Sequence, residues 1–177
     1  SNQIFVDVNN GGAYDAGDTA LTGATVDLYA SDGVTLLNTV ITGAGGTYSF
    51  SGLAAGDYIV KVTPPVGYRS AVDTANSGDT INPNNNIDNN DNGVGTATGQ
   101  ISSNIVTLTP GSPGAAANNV VSNATGTTTN PTLDFGFQTA CSASINVVNA
   151  NGSGAGSLRQ AIADVCTNGT ISFSGDY

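Results

Sequence analysis

The sequence holds no histidine, glutamate, methionine or tryptophan, and only three basic residues, Lys61, Arg69 and Arg159. Each absence excludes something. Without histidine the chain lacks the usual general base and the commonest transition-metal ligand. Three scattered cations cannot form the Lys/Arg clusters that bind nucleic-acid phosphates or anionic lipid headgroups. Glutamate, lysine and arginine are strong helix formers, so their scarcity points away from a helical protein. No apolar run approaches the ~20 residues of a membrane span. No signal peptide is present, and the chain opens on "SNQIF", as a mature or trimmed form would.

What is there is aspartate. All 13 acidic residues are Asp, and the formal net charge is −10 over 177 residues. Such a surface attracts cations. Glycine, threonine, asparagine, serine and valine favour short strands and turns. The two cysteines, Cys141 and Cys166, form no CxxC and have no histidine to complete a zinc site. A single disulfide in an oxidising compartment is their expected use. The alternative is two buried thiols.

Strand signals alternate with turn signals along most of the chain. "QIFVDV" sets Ile4, Val6 and Val8 on one face. "ATVDLYA" turns Val26 and Leu28 inward and Thr25, Asp27 and Tyr29 outward. "VTLLNTVI" and "TYSF" follow, then "LAAGDYIVKV", with Tyr58, Val60 and Val62 on one face. After an Asn/Asp/Gly-rich stretch from Asp73 to Gly99, "NIVTLTP" resumes the pattern. A second polar loop precedes "TLDFGF", which aligns Leu133, Phe135 and Phe137. Period-two alternation with one apolar face predicts a two-sheet sandwich over residues 1–138.

The remainder, residues 139–177, reads differently. "SINVVNA" and "TNGTISF" are strands. Between them "SLRQAIADVC" carries Leu158, Ala161, Ile162 and Val165 at helical spacing, with Ser157 placed as N-cap. This β-α-β appendage is too short to bury a core alone. The fold class expected is therefore mainly β, a sandwich with a small C-terminal β-α-β appendage.

The densest acid lies in "VDVNNGGAYDAGD". Counting Asp7 as position 1, Asn9 is position 3, Gly11 position 5, Gly12 position 6, Ala13 position 7, Asp15 position 9 and Asp18 position 12. This is nearly the D-x-[DN]-x-[DN]-G-x5-E spacing of a calcium loop. A loop wrapped around one ion presents alternate side chains inward, glycine at 6 permits the sharp turn, and position 7 offers a carbonyl. Glycine at 5 and aspartate at 12 depart from the pattern. Oxygen donors without nitrogen or sulfur select Ca²⁺. A second, weaker candidate is "DNNDNG", where Asp88, Asn90 and Asn92 repeat positions 1, 3 and 5. It ends on Gly99 and needs help from Asp73, Asp79 or Asp91. Carboxylates pair only inside these loops, so no enzyme is expected.

"IFVDVNNGGAYDAGDTALTGATVDLYASDGV", "GTYSFSGLAAGDYIVKVTPPVGY" and "TLDFGF" occur in this order between Gln3 and Phe137. Together they resemble the calcium-binding B-type repeat of serine-aspartate-repeat surface adhesins, a relative of the collagen-adhesin B-type stalk domains. The resemblance implies an extracellular, immunoglobulin-like Greek-key sandwich, stiffened by Ca²⁺, acting as a stalk or spacer at a bacterial cell surface. It carries ligands onto Asp7, Asn9, Asp15 and Asp18. The Asn-rich insert Asn82–Gly95 also resembles one found in these repeats. Some relatives carry a Lys–Asn isopeptide bond promoted by a buried acid. Lys61 is the only lysine, so no such bond is expected, and Lys61 reads as an exposed strand residue. "CSASINVVNANGSGAGSLRQAIADVCTNGTISF" resembles the GSLRxAI segment that opens bacterial β-helix surface proteins, in which the two cysteines flank the helix and pair.

These readings converge on a secreted structural subunit of a stalk, fibre or sheath, without nucleic-acid or membrane partners. Copies would assemble by strand addition, with "TISFSGDY" or "NQIFVDV" as donor. The competing reading is an adhesin binding carbohydrate or a host ligand through its loops, with Tyr14, Tyr29 and Tyr68 stacking on sugars.

Overall fold

The computed structural model describes residues 2–71, 82–84, 87–94, 99–108, 121–122 and 132–175. Asp73, Asp79 and most of the second polar loop lie outside the described residues. The chain divides into two compact units, Ser1–Gln138 and Thr139–Tyr177.

The first unit is a β-sandwich. One sheet orders β2 (Thr19–Ala20), β1 (Ile4–Val6), β11 (Phe135–Thr139) and β7 (Tyr68–Ser70). The other orders β4 (Leu36–Ile41), β3 (Thr25–Ala30), β6 (Gly56–Thr63) and β8 (Ile101–Ser102), with β9 (Val106–Leu108) also pairing β6. A short parallel pair joins β5 (Phe50–Ser51) to β10 (Val121–Ser122). Both large sheets contribute to one buried cluster that includes Val26, Leu28, Val60, Val62, Phe135 and Phe137. Alternation explains β3, β6 and β11. Each buries every second side chain, and Val26, Leu28, Val60, Val62, Leu133, Phe135 and Phe137 are fully enclosed.

β1 departs from alternation. Ile4 and Phe5 are both fully buried, while Val8, expected on the core face, is 65% exposed. The cause is position. β1 lies between β2 and β11 within its sheet, and the Tyr14 ring covers Phe5 edge-on at 5.4 Å between centroids. Both faces are thus covered, and apolar residues fill both. "NQIFVDV" is accordingly paired within its own chain. Lys61 is not free in solvent either. Its ammonium donates to the Gly33 carbonyl at 2.8 Å and lies 4.5 Å from the centre of the Tyr29 ring.

One buried hydroxyl locks the start of β3 to the end of β4. Thr42 Oγ1 donates to the Leu21 carbonyl at 2.7 Å and accepts from the Ala24 amide at 3.0 Å. Thr42→Val keeps the shape and leaves both backbone groups buried without their partner. A loss of about 1–3 kcal/mol is expected, read as a lower urea midpoint at unchanged m-value.

The second unit is a parallel β-α-β. β12 (Ser142–Val147) and β13 (Val165–Phe173) pair in parallel, with Ile145 beside Ile171 and Val147 beside Phe173. Parallel neighbours need a crossover, and here it is α1 (Leu158–Asp164), which packs on both strands. Ser157 caps the helix by accepting from the Gln160 amide. The helix is shorter than its periodicity suggests. Val165 is extended, at φ −78° and ψ 138°, and opens β13, so Val165 and Cys166 sit on a strand. Strand propensity and the adjoining ladder override the helical spacing there. A disulfide joins Cys141 to Cys166, with Cα atoms 4.9 Å apart. "TISFSGDY" supplies the end of β13 and is paired along β12.

Candidate metal centre

The loop from Asp7 to Asp18 leaves β1 and returns into β2. Its turn is made by two residues in the left-handed region, Asn10 (φ 56°) and Gly12 (φ 73°). Glycine accepts that backbone at no steric cost, and asparagine tolerates it. Gly11 is required for another reason. A Cβ there would stand 2.7 Å from Asn9 Oδ1, so the position that lacks a side-chain ligand is the one that lets Asn9 fold inward.

Four expected ligands are drawn into one hydrogen-bonded array. Asp7 is buried, and its two oxygens accept from the Gly11 amide at 3.0 Å and the Gly12 amide at 2.7 Å. Asn9 Oδ1 accepts from the Gly11 amide at 2.7 Å. The Asn9 amide donates to both oxygens of Asp15 at 3.1 Å. Asp18 accepts from the Val8 and Asp15 amides, each at 2.9 Å. Asn9, Asp15 and Asp18 therefore meet on the exposed side of the loop, while Asp7 is turned toward the two glycine amides. The bidentate pose of an amide on Asp15 is one a cation can take instead. Among the described residues, no group of three or more Cys or Asp side chains converges as a metal cage. The donor set nonetheless suits a hard cation, since every side chain offered is a carboxylate or amide oxygen.

The two polar loops that look separate in sequence lie side by side. Tyr14 donates its amide to the Asn89 carbonyl at 2.7 Å, and Asp91 donates its amide to the Gly12 carbonyl at 2.9 Å. Ala13 thus bridges antiparallel to Asn90, and Asp91 bridges parallel to Asp134. Asp88 is exposed, whereas Asn90, Asp91 and Asn92 are buried. They hold backbone. Asp91 Oδ1 accepts from the Gly93 amide and Asn92 Oδ1 from the Asp134 amide.

Asp134 is the residue the motif count does not find. It is 1% exposed, and its oxygens accept from the Gln3 amide at 2.7 Å and the Asn89 amide at 2.8 Å. It ties β1 to the Asn-rich loop. Burial pushes its carboxyl up to about 7, against the pull of these two amides, and Asp88 adds to the rise. Its one sequence signal is an acid inside the apolar run "TLDFGF".

The tyrosines considered for sugar stacking are half-buried. Tyr14 packs on Phe5, Lys61 covers Tyr29, and Tyr68 packs against the core.

The family model described as the SdrD B-like domain matches residues 1–109. Serine-aspartate repeat-containing protein D of Staphylococcus aureus (strain Newman) is 36% identical over 74 residues, covering 42% of this chain and 6% of that protein. Colossin-A of Dictyostelium discoideum is 35% identical over 65 residues, 37% of this chain and 1% of that protein. The chain thus spans only a small part of the relatives it matches. The matched region holds the Asp7–Asp18 loop, the Asp88–Asn92 segment and most of the sandwich strands, and the chain belongs to the SdrD B-like domain family.

Proposed function

We propose that the chain is a non-enzymatic structural module of a secreted or cell-surface protein, serving as a stalk, fibre or sheath element stiffened by Ca²⁺ in the Asp7–Asp18 loop. The observation that carries this reading is the joining of that loop to the Asn89–Asp91 segment by backbone hydrogen bonds. An ion held by Asn9, Asp15 and Asp18 would fix the exit from β1, the entry to β2 and the segment beside them together. Asp7 would have to share its oxygens with the Gly11 and Gly12 amides. The net charge of −10 supports cation uptake, and membership of the family supports a structural role.

Extracellular modules bind calcium at roughly 10⁻⁴–10⁻³ M. At about 10 mM calcium the folded state should gain about 1.4–2.7 kcal/mol by mass action. Thermal melts in calcium and in EGTA read this gain directly. It should vanish in an Asp15→Asn, Asp18→Asn double variant. Equal melting temperatures with and without calcium would rule out the metal.

A further inference from the structure

We propose that β4 is the edge through which two copies of this chain pair, strand against strand and antiparallel, about a two-fold axis at Thr39.

The other exposed ends of the large sheets are short. β2 and β8 have two residues each, β9 has three, and β7 has three and carries Arg69. Short edges offer little backbone to a partner, and charge discourages one. β4 has six residues and closes one side of its sheet. From Gly33 to Gly56 the sequence contains no charged residue and no proline. The only edge-blunting device is a bulge at Leu37, where the register moves from Leu28–Asn38 to Tyr29–Leu36. The strand and the turn before it also carry exposed aliphatics: Val34 at 80%, Leu36 at 52%, Leu37 at 48% and Ile41 at 69%.

The open backbone groups can be located. Thr42 donates its amide to the Ala24 carbonyl and accepts from the Gly23 amide, so its backbone faces the β3 side. Backbone direction alternates along a strand. Val40 and Asn38 therefore face β3, and the N–H and C=O of Thr39 and Ile41 face outward. The Thr39 N–H donates to the side-chain oxygen of its own neighbour Asn38 at 2.8 Å, a local bond that a partner strand must displace. An antiparallel partner must meet outward groups with outward groups. With the axis at Thr39, Thr39 faces Thr39, Leu37 faces Ile41 on either side, and Asn38 faces Val40. Thr–Thr and aliphatic pairs are the favourable kinds across strands. Val40 and Asn38 lie opposite the inward Val26 and Leu28, so Thr39 and Ile41 belong to the outer face, where pairing would double the apolar stripe.

Charge selects a second copy as the occupant. A charged peptide finds no counter-charge on β4. Two copies, each at −10, bring together the long edge of the sandwich, where no carboxylate meets another. The nearest acid is Asp27, which accepts from the Thr39 hydroxyl at 2.6 Å and from the Gln100 amide at 3.1 Å. The two Asp27 side chains would stand three strand spacings apart, roughly 14 Å at about 4.8 Å per spacing. That exceeds the Debye length of about 8 Å at physiological salt. An isologous contact of this kind closes as a dimer.

The test uses the full oxidised chain. Opposed residues of a hydrogen-bonded pair have Cα atoms about 5.5 Å apart, within disulfide reach. Thr39→Cys should cross-link to itself under mild oxidation at least ten-fold faster than Val66→Cys, a fully exposed site elsewhere. Sedimentation equilibrium of the unmodified chain should show a monomer–dimer equilibrium that tightens with salt. Thr39→Lys and Ile41→Lys, at exposed positions, should each weaken it at least ten-fold with unchanged circular dichroism. A chain that stays monomeric at millimolar concentration, or equal cross-linking at the two cysteines, overturns the proposal.

Discussion

The sandwich is expected to lose stability as pH rises from about 4 to about 7, by up to about 4 kcal/mol. The group responsible is Asp134. An unfolded aspartate titrates near 3.9, whereas buried Asp134 holds its proton up to about 7. Between these values the folded state binds the extra proton, so its stability is fully present below about 4 and is lost on the way to 7. Three pH units at about 1.36 kcal/mol each give the limit. Asp32 does not blur this window. The Thr35 hydroxyl and the amides of Thr35 and Val34 hold its carboxyl down to about 2. Urea midpoints in EGTA at pH 4, 5.5 and 7 test the slope. Asp134→Asn, which cannot titrate, should flatten it. A midpoint in the unmodified chain that is level or rises over this range would refute the assignment.

Reduction of Cys141–Cys166 is expected to unfold the second unit and leave the first intact. Two strands and a helix of seven residues bury few side chains fully, chiefly Val147 and Ala161. A core of that size does not sustain a domain of about 40 residues without a staple. The disulfide spans 25 residues, and closing such a loop is worth about 3.5 kcal/mol in the chain-entropy account. Trypsin supplies the assay, because Arg159 is the only tryptic site in this unit and Lys61 and Arg69 lie in the sandwich. Cleavage after Arg159 should become fast in dithiothreitol, while the two sandwich sites stay protected. Equal resistance before and after reduction would show that the unit holds without its cross-link.

How much of this was legible depends on what a residue's neighbours are. β3, β6 and β11 each cover the core with one face, so Val26, Leu28, Val60, Val62, Phe135 and Phe137 announce themselves by period two. β1 breaks the rule because Tyr14 arrives from a loop to cover its other face. Asp134 alternates with Leu133 and Phe135 and so reads as solvent-facing. It is enclosed because the Asn89–Asn92 segment folds over that side of β11. The pairing of Ala13 with Asn90 left no trace in the pattern, since its bonds run between backbones and impose no side-chain type. The spacing from Asp7 to Asp18 did place its side chains in one loop. It did not show that the Gly11 and Gly12 amides would claim Asp7.

The parallel pairing of β1 with β11 bears on how the sandwich carries tension. Ile4, Phe5 and Val6 lie beside Phe135, Gly136 and Phe137. Further bonds join the Gln3 carbonyl to the Phe135 amide and the Asp7 amide to the Phe137 carbonyl. β1 begins this unit and β11 ends it, so a pull on the two ends drags these neighbours past each other along their length. The bonds between them are then loaded together in shear. They cannot be peeled away one at a time, as the strands of a hairpin pulled from its open end would be. Yielding requires the whole ladder to fail in one step.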